Sequence, residues 1–187
     1  MKTLIRSCSI PVLLALVAPA FAAEEKPGQG DPMAGWQPPK VRAEQKDKKE
    51  ILAVFRKMDA AGKKADLEAA VALVDFPVLM VTDDSKGESQ AAAWTREQWT
   101  EVMRPFYAKP MDARMTHRQS IFMVTDSLAA ATDSWTMTMG GKTTSGRNAT
   151  LLVRKGGEWR IKAMMEGGWG DMPMPAQEKA SPTSGSR

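Results

Sequence analysis

Two residue counts limit the chemistry at once. His117 is the only histidine and Cys8 the only cysteine. A histidine metal cage or a histidine pair is therefore excluded. A Ser-His-Asp set using His117 is compatible with the composition, but no nucleophile-elbow motif accompanies it. Gly141-Lys142-Thr143 matches the end of a phosphate loop. Position 136, however, is threonine where such a loop opens on glycine, and a strand pattern follows where a helix is required. The segment reads as a hairpin turn. Asn148-Ala149-Thr150 has glycosylation-acceptor spacing but sits inside a strand pattern, and reads as coincidence. Asp83-Asp84 with Glu88 lacks the full spaced ligand set of a calcium loop and reads as a solvated turn.

The methionines carry more information. There are 14, clustered as Met137-Thr138-Met139, Met164-Met165 and Met172-Pro173-Met174. Thioethers suit Cu(I), yet methionine also fills irregular cores and lines adaptable apolar pockets. Met137 and Met139 alternate onto the face of Trp135, which is core behaviour. The expectation is no metal and no other cofactor.

These residues belong to a chain of 187 residues, which fits one domain with tails. The composition is 43% hydrophobic and 26% charged, ordinary for a globular protein. Collagen, a disulfide scaffold and a many-span membrane protein are excluded. The 26 Lys and Arg against 22 Asp and Glu give a net charge of +4, evenly spread. That is too mild for a nucleic-acid partner.

Residues 1–22 read as a signal peptide. Lys2 and Arg6 form a positive start, Ile10 to Val17 is an apolar run, and Ala20-Phe21-Ala22 supplies the small residues of a cleavage site. The apolar run is shorter than the ~20 residues of a bilayer span, so no membrane span is expected. Cys8 precedes the run, whereas a lipidated cysteine would follow it. Cleavage after Ala22 leaves a mature chain starting at Ala23 with no cysteine, which removes Cys–His catalysis. The expected location is periplasmic or secreted. Residues 23–40 are rich in Pro and Gly and read as a flexible leader, and residues 170–187 as a disordered tail.

Between them, residues 41–169 carry three helical periods. Ile51, Val54, Phe55 and Met58 form one apolar stripe, which Gly62 is expected to end. Leu67, Ala70, Val71 and Val74 form a second, with Asp66 as N-cap. Thr95 and Gln98 make a capping box for a third, whose face is Trp99, Val102, Met103 and Phe106. Pro77–Thr82 reads as a short strand. Four longer strands follow near 114–125, 128–139, 145–155 and 158–166, turning at Asp126-Ser127, Gly140-Gly141 and Gly156-Gly157. Helices first and a meander last argue for an α+β domain with helices on one face of a curved antiparallel sheet.

That order resembles the NTF2-like superfamily, including its SnoaL-like and ketosteroid-isomerase-like members. The likeness rests on the Asp75-Phe76-Pro77 exit into a strand, the Thr95-led helix, and the ending Gly146–Arg154 followed by Glu158-Trp159-Arg160-Ile161. The resemblance implies a cone-shaped domain with a pocket between sheet and helices, and frequent dimerisation through the outer sheet face. It spans isomerases, dehydratases, cyclases and members without known catalysis, so it fixes no activity.

Two-residue turns at all three hairpins would set the strand register. Ser120 then falls opposite Asp133, Asp133 opposite Asn148, and Asn148 opposite Met165. The expected inner face carries Phe122, Trp135, Met137, Met139, Leu152, Trp159 and Ile161, with Ser120, Asp133 and Asn148 in one polar row and Arg118 diagonal to Asp133. His117, Gln119, Ile121, Met123, Leu151, Val153, Arg160 and Lys162 fall on the outer face, where the homodimer contact is expected around Ile121, Met123, Leu151 and Val153. A one-residue bulge would exchange these faces.

The polar row has two readings. Asp133 could act as a general base, with Asn148 and Ser120 as donors, Arg118 tuning the charge and Tyr107 closing the pocket mouth. Alternatively, Asp133, Asn148 and Arg118 form a satisfied hydrogen-bonded group that fixes the sheet. The leading expectation is an exported protein without a cofactor that binds a small apolar or amphipathic ligand, or mediates association, without catalysis. A cofactor-free isomerase, dehydratase or cyclase is the alternative.

Overall fold

The computed structural model describes residues 40–172. The expected signal peptide, nearly all of the leader and most of the tail lie outside the described residues. Helix α1, Glu44–Lys64, buries Ile51 and Val54 and sets acidic residues in its first turn and lysines in its last, in keeping with the helix dipole. It ends at Ala65, which takes the left-handed conformation at φ 56° and donates from its N–H to the Gly62 carbonyl. Gly62 is thus not the terminator. It lies inside the helix, where a Cβ would stand 2.9 Å from the Met111 methyl group. Glycine there leaves room for the flexible Met111 side chain rather than supplying a left-handed backbone.

Helix α2, Leu67–Val71, starts at Asp66, whose carboxylate accepts from Ala69 N–H at 2.9 Å. Val74 leaves this stripe because it opens strand β1, Val74–Asp83. Strand β2, Ser89–Trp94, pairs antiparallel with β1. Its Ala91-Ala92-Ala93 run has no β-branched residue to announce a strand, and pairing with β1 makes it one. Helix α3, Arg96–Met103, carries the full Thr95–Gln98 capping box and passes into a 3-10 turn, Arg104–Tyr107, at Pro105. Strands β3 (Arg114–Met123), β4 (Leu128–Met139), β5 (Lys142–Lys155) and β6 (Glu158–Glu166) form the meander.

The six strands make one sheet in the order β2-β1-β6-β5-β4-β3, with β1 parallel to β6 and all other pairs antiparallel. The core lies between its concave face and the helices, around Ile51, Val71, Val78, Trp99 and Leu152. The chain is α+β. Among the described residues no helix is long and apolar enough to cross a membrane.

The two Gly-Gly turns set the register as expected: Met139 pairs with Lys142, Lys155 with Glu158, and Asp133 with Asn148. The β3–β4 turn does not. Met123 pairs with Ala129, so Gln119, not Ser120, stands opposite Asp133. The connection is one residue longer than a two-residue turn, and the faces of β3 exchange. His117, Gln119, Ile121 and Met123 therefore point inward, while Arg118, Ser120 and Phe122 point outward. A bulge between Leu151 and Leu152 also shifts β6, placing Glu166 rather than Met165 opposite Asn148.

One buried ion pair ties the first helix to the sheet. Asp47 is 2% exposed, and the Arg154 guanidinium donates to it while stacking 4.8 Å over the Trp159 ring.

Candidate functional site

Helix α1, the 3-10 turn, the loop before β3 and the concave sheet face enclose a cavity of about 1050 Å³. Eight of the 14 methionines line it, among them Met58, Met115, Met137 and Met164. So do Trp94, Trp99, Trp135 and Trp169. The segment after β6 closes one side. Gly168 and Trp169 donate from their N–H groups to Asp83 Oδ1 and Thr82 Oγ1, and the Trp169 ring packs 5.2 Å from that of Phe106. Hydrogen bonding of this segment to the β1–β2 hairpin continues to Asp171, which accepts from the Ser85 N–H.

His117 is the polar centre of one wall. Its Nδ1 lies 2.6 Å from Asp133 Oδ2 and its Nε2 3.4 Å from Asp59 Oδ2, on α1. The His117 side chain is 21% exposed and that of Asp133 10%. Asp133 Oδ1 is buried with no hydrogen-bond partner among the described residues. Burial pushes the Asp59 carboxyl above its ordinary range, with His117 and Lys63 opposing the rise and Asp133 adding to it. Tyr107 is also pushed up, first by burial and then by the Asp59 charge, and its hydroxyl reaches Met58 Sδ at 3.5 Å.

A polar belt runs across the concave face. Gln119, Asp133, Asn148 and Glu166 stand directly opposite one another on β3, β4, β5 and β6, and all four line the cavity. Burial alone raises the Glu166 carboxyl above its ordinary range.

Of the residues singled out in the sequence, Asp133, Asn148, Trp135, Met137 and Tyr107 line this cavity. Trp159 does not. It is 4% exposed and packed in the core under Arg154. Arg118 and Ser120 lie on the opposite sheet face, where Arg118 borders a shallow polar depression with Ser134 and Arg147. Arg118 therefore does not reach the Asp133 carboxylate, and Asp133 pairs with His117 instead. Asp59, His117, Gln119 and Glu166 were missed. The absence of any glycine in the β3–β4 turn was the available warning, since a two-residue hairpin turn favours one. Among the described residues no group of three or more His, Cys, Asp or Glu side chains has a metal-holding arrangement.

No protein-family model matches this sequence, and no curated protein does. Solved structures do. An NTF2-like protein of unknown function from Shewanella oneidensis superimposes with a TM-score of 0.54 at 13% identity, over 65% of this chain and 98% of that one. The chain has the NTF2-like fold. A scytalone dehydratase-like protein from Novosphingobium aromaticivorans shares it, with a TM-score of 0.54 at 11% identity over 65% of this chain and 83% of that one. So does the association domain of C. elegans CaMKII, with a TM-score of 0.53 at 15% identity over 65% of this chain and 95% of that one. At these identities the NTF2-like fold is what is shared, and the cavity above is the cone interior of that fold.

Proposed function

We propose that this is an exported NTF2-like protein whose cone binds a small, largely apolar ligand. The observation that carries this reading is the cavity itself. A cone packed shut by its own side chains would leave association as the remaining role, whereas about 1050 Å³ stays open between aromatic and thioether walls. Pockets of this size and lining suit small molecules, with a few polar groups fixing orientation. Gentle purification of the full chain from its native source, followed by solvent extraction and mass spectrometry, tests the reading. A stoichiometric apolar compound is expected. Failure to recover one, together with no thermal shift across an apolar compound library, would overturn it.

A second reading is favoured by the His117–Asp133 contact. A carboxylate on Nδ1 orients the imidazole, the arrangement used where histidine passes protons. The group facing a ligand is then His117, not Asp133, and Asp133 holds it. A cofactor-free isomerase, dehydratase or cyclase would use the ring in this way. Turnover of enolisable or dehydratable carbonyl compounds by the full chain, lost in His117→Gln with unchanged folding, is the test.

Association is proposed to use the convex sheet face. Phe122, Leu151 and Leu79 are exposed there and fall in one transverse row with Ala130 and Ala163, with exposed Met165 beside it. The contact expected around Ile121 and Met123 is ruled out, because both pack inward. A second copy of this chain, apposed through this row, would cover apolar surface that is otherwise exposed to water.

A further inference from the structure

We infer that the ligand of the cone is an organic cation, an apolar body carrying an ammonium group that pairs with Glu166. The inference rests on the cone being a ligand pocket, and it names the chemistry of the occupant.

The chain as a whole carries a net charge of +4, yet its cavity is acidic. Asp59, Asp112, Asp133 and Glu166 line it, against Lys109 and His117. Asp133 and Asp59 flank the His117 ring, and Lys63 also acts on Asp59. Asp112 is exposed to water, which solvates it. Glu166 is half-buried instead. No ion pair or hydrogen bond to its side chain occurs among the described residues, and the residue directly opposite it on β5 is the neutral Asn148. A half-buried carboxylate without a partner is costly to the fold, and such a group is retained where something else pairs with it.

The walls point the same way. Four tryptophans, Tyr107, Phe55 and Phe106 line the cavity. Aromatic faces attract ammonium groups through the ring quadrupole, most strongly where water is excluded. Further along the belt, the nine-tenths-buried Asp133 leaves Oδ1 without a partner among the described residues, a second unpaired acceptor on a residue that lines the cavity. A carboxylate or phosphate ligand would meet like charge at Glu166 and an apolar surround that does not solvate it.

Calorimetric titration of the full chain with three compounds of one shape tests this: adamantanemethylamine, adamantanemethanol and adamantanecarboxylate at neutral pH. The ammonium compound is expected to bind about tenfold tighter than the alcohol, the scale of one desolvated cation contact, and the carboxylate more weakly than either. In Glu166→Gln, a near-isosteric change, the ammonium affinity should fall to that of the alcohol while the alcohol affinity stays the same. Equal or tighter binding of the carboxylate overturns the inference, as does an ammonium preference that survives Glu166→Gln. Binding of the alcohol without ammonium preference sinks the cation but leaves the pocket reading standing. Binding of none of the three at millimolar concentration counts against both. The comparison on the unaltered protein decides the matter even if the variant does not fold.

Discussion

His117 and Asp133 sit diagonally on neighbouring strands, with Nδ1 2.6 Å from Oδ2, at the wall of an otherwise apolar cavity. His117 stands directly opposite Trp135 and Asp133 opposite Gln119, so the contact depends on the β3–β4 register alone. One residue more or less in that turn would send the only imidazole of the chain to the convex face.

Removing the ring should therefore be felt in stability as well as in function. His117→Ala leaves a nine-tenths-buried carboxylate with neither oxygen paired, at a cost of about 1–3 kcal/mol. Urea denaturation should show that loss, and adding Asp133→Leu should recover a large part of it. Additive losses in the double variant would show that the two side chains are not energetically coupled.

The Asp47–Arg154 pair is a second structural bond. Asp47 is 2% exposed, and Arg154 is held between it and the Trp159 ring. The Arg154 side chain is 26% exposed and also reaches Glu50 Oε2 at 3.4 Å, so its charge stays partly compensated. Asp47→Ala should therefore cost about 1–3 kcal/mol, the scale of a lost charge-assisted hydrogen bond. A change below about 0.5 kcal/mol, the range of ordinary surface substitutions, would show the pair to be dispensable.

Phe122 is 70% exposed at the β3 end of the apolar convex row. In sedimentation equilibrium the unaltered chain is expected to be a dimer at micromolar concentration and Phe122→Lys a monomer. The helical circular dichroism of the two should be the same. A unaltered chain that stays monomeric at high micromolar concentration would remove the convex row as a contact between copies.

Much of this arrangement was legible in the sequence because its causes are local. Thr95 and Gln98 are three residues apart and cap each other. The two Gly-Gly pairs supply the positive φ angles that two-residue turns demand, so the β4–β5 pairing, and the β5–β6 pairing from its turn as far as the bulge, followed from the residues alone. What was not legible has distant causes. At the β3–β4 turn, Asp126 N–H donates to the Lys40 carbonyl and Asp126 Oδ1 accepts from Arg42 N–H, more than eighty positions away. Nothing near Asp47 in the sequence announces its pairing, since its partner Arg154 is on the fifth strand. The bulge before Leu152 placed Glu166 in the belt, and nothing near Glu166 in the sequence announces it.

Gly146 has a reason that only the paired strands reveal. It stands opposite Trp135, and a Cβ built on it would come within 2.3 Å of the indole ring. Gly146→Val should drive the Trp135 ring out of its place on the cavity wall. The expected reading is a shifted tryptophan emission maximum and at least about tenfold weaker binding of the apolar ligand, with the loss scaled as for a displaced aromatic contact. Unchanged emission and affinity would mean that the ring does not rest on this glycine.

Glu166 makes a separate prediction about pH in the ligand-free protein. Burial raises its carboxyl above the ordinary value, so between the unfolded and folded pKa values the folded state holds more protons than the unfolded one. Its contribution to stability is therefore fully present below the unfolded value, about 4.3 for glutamate. It is lost as pH rises through the folded value. Glu166→Gln removes that penalty without changing the shape of the side chain. The variant should melt at a higher temperature than the unaltered protein at neutral pH, and the gap should close as the pH is brought down to the ordinary glutamate range. Asp59, raised chiefly by burial as well, remains in both proteins and drops out of the difference. A gap independent of pH, or a variant less stable at neutral pH, would mean that Glu166 has a partner in the free protein and is not waiting for one.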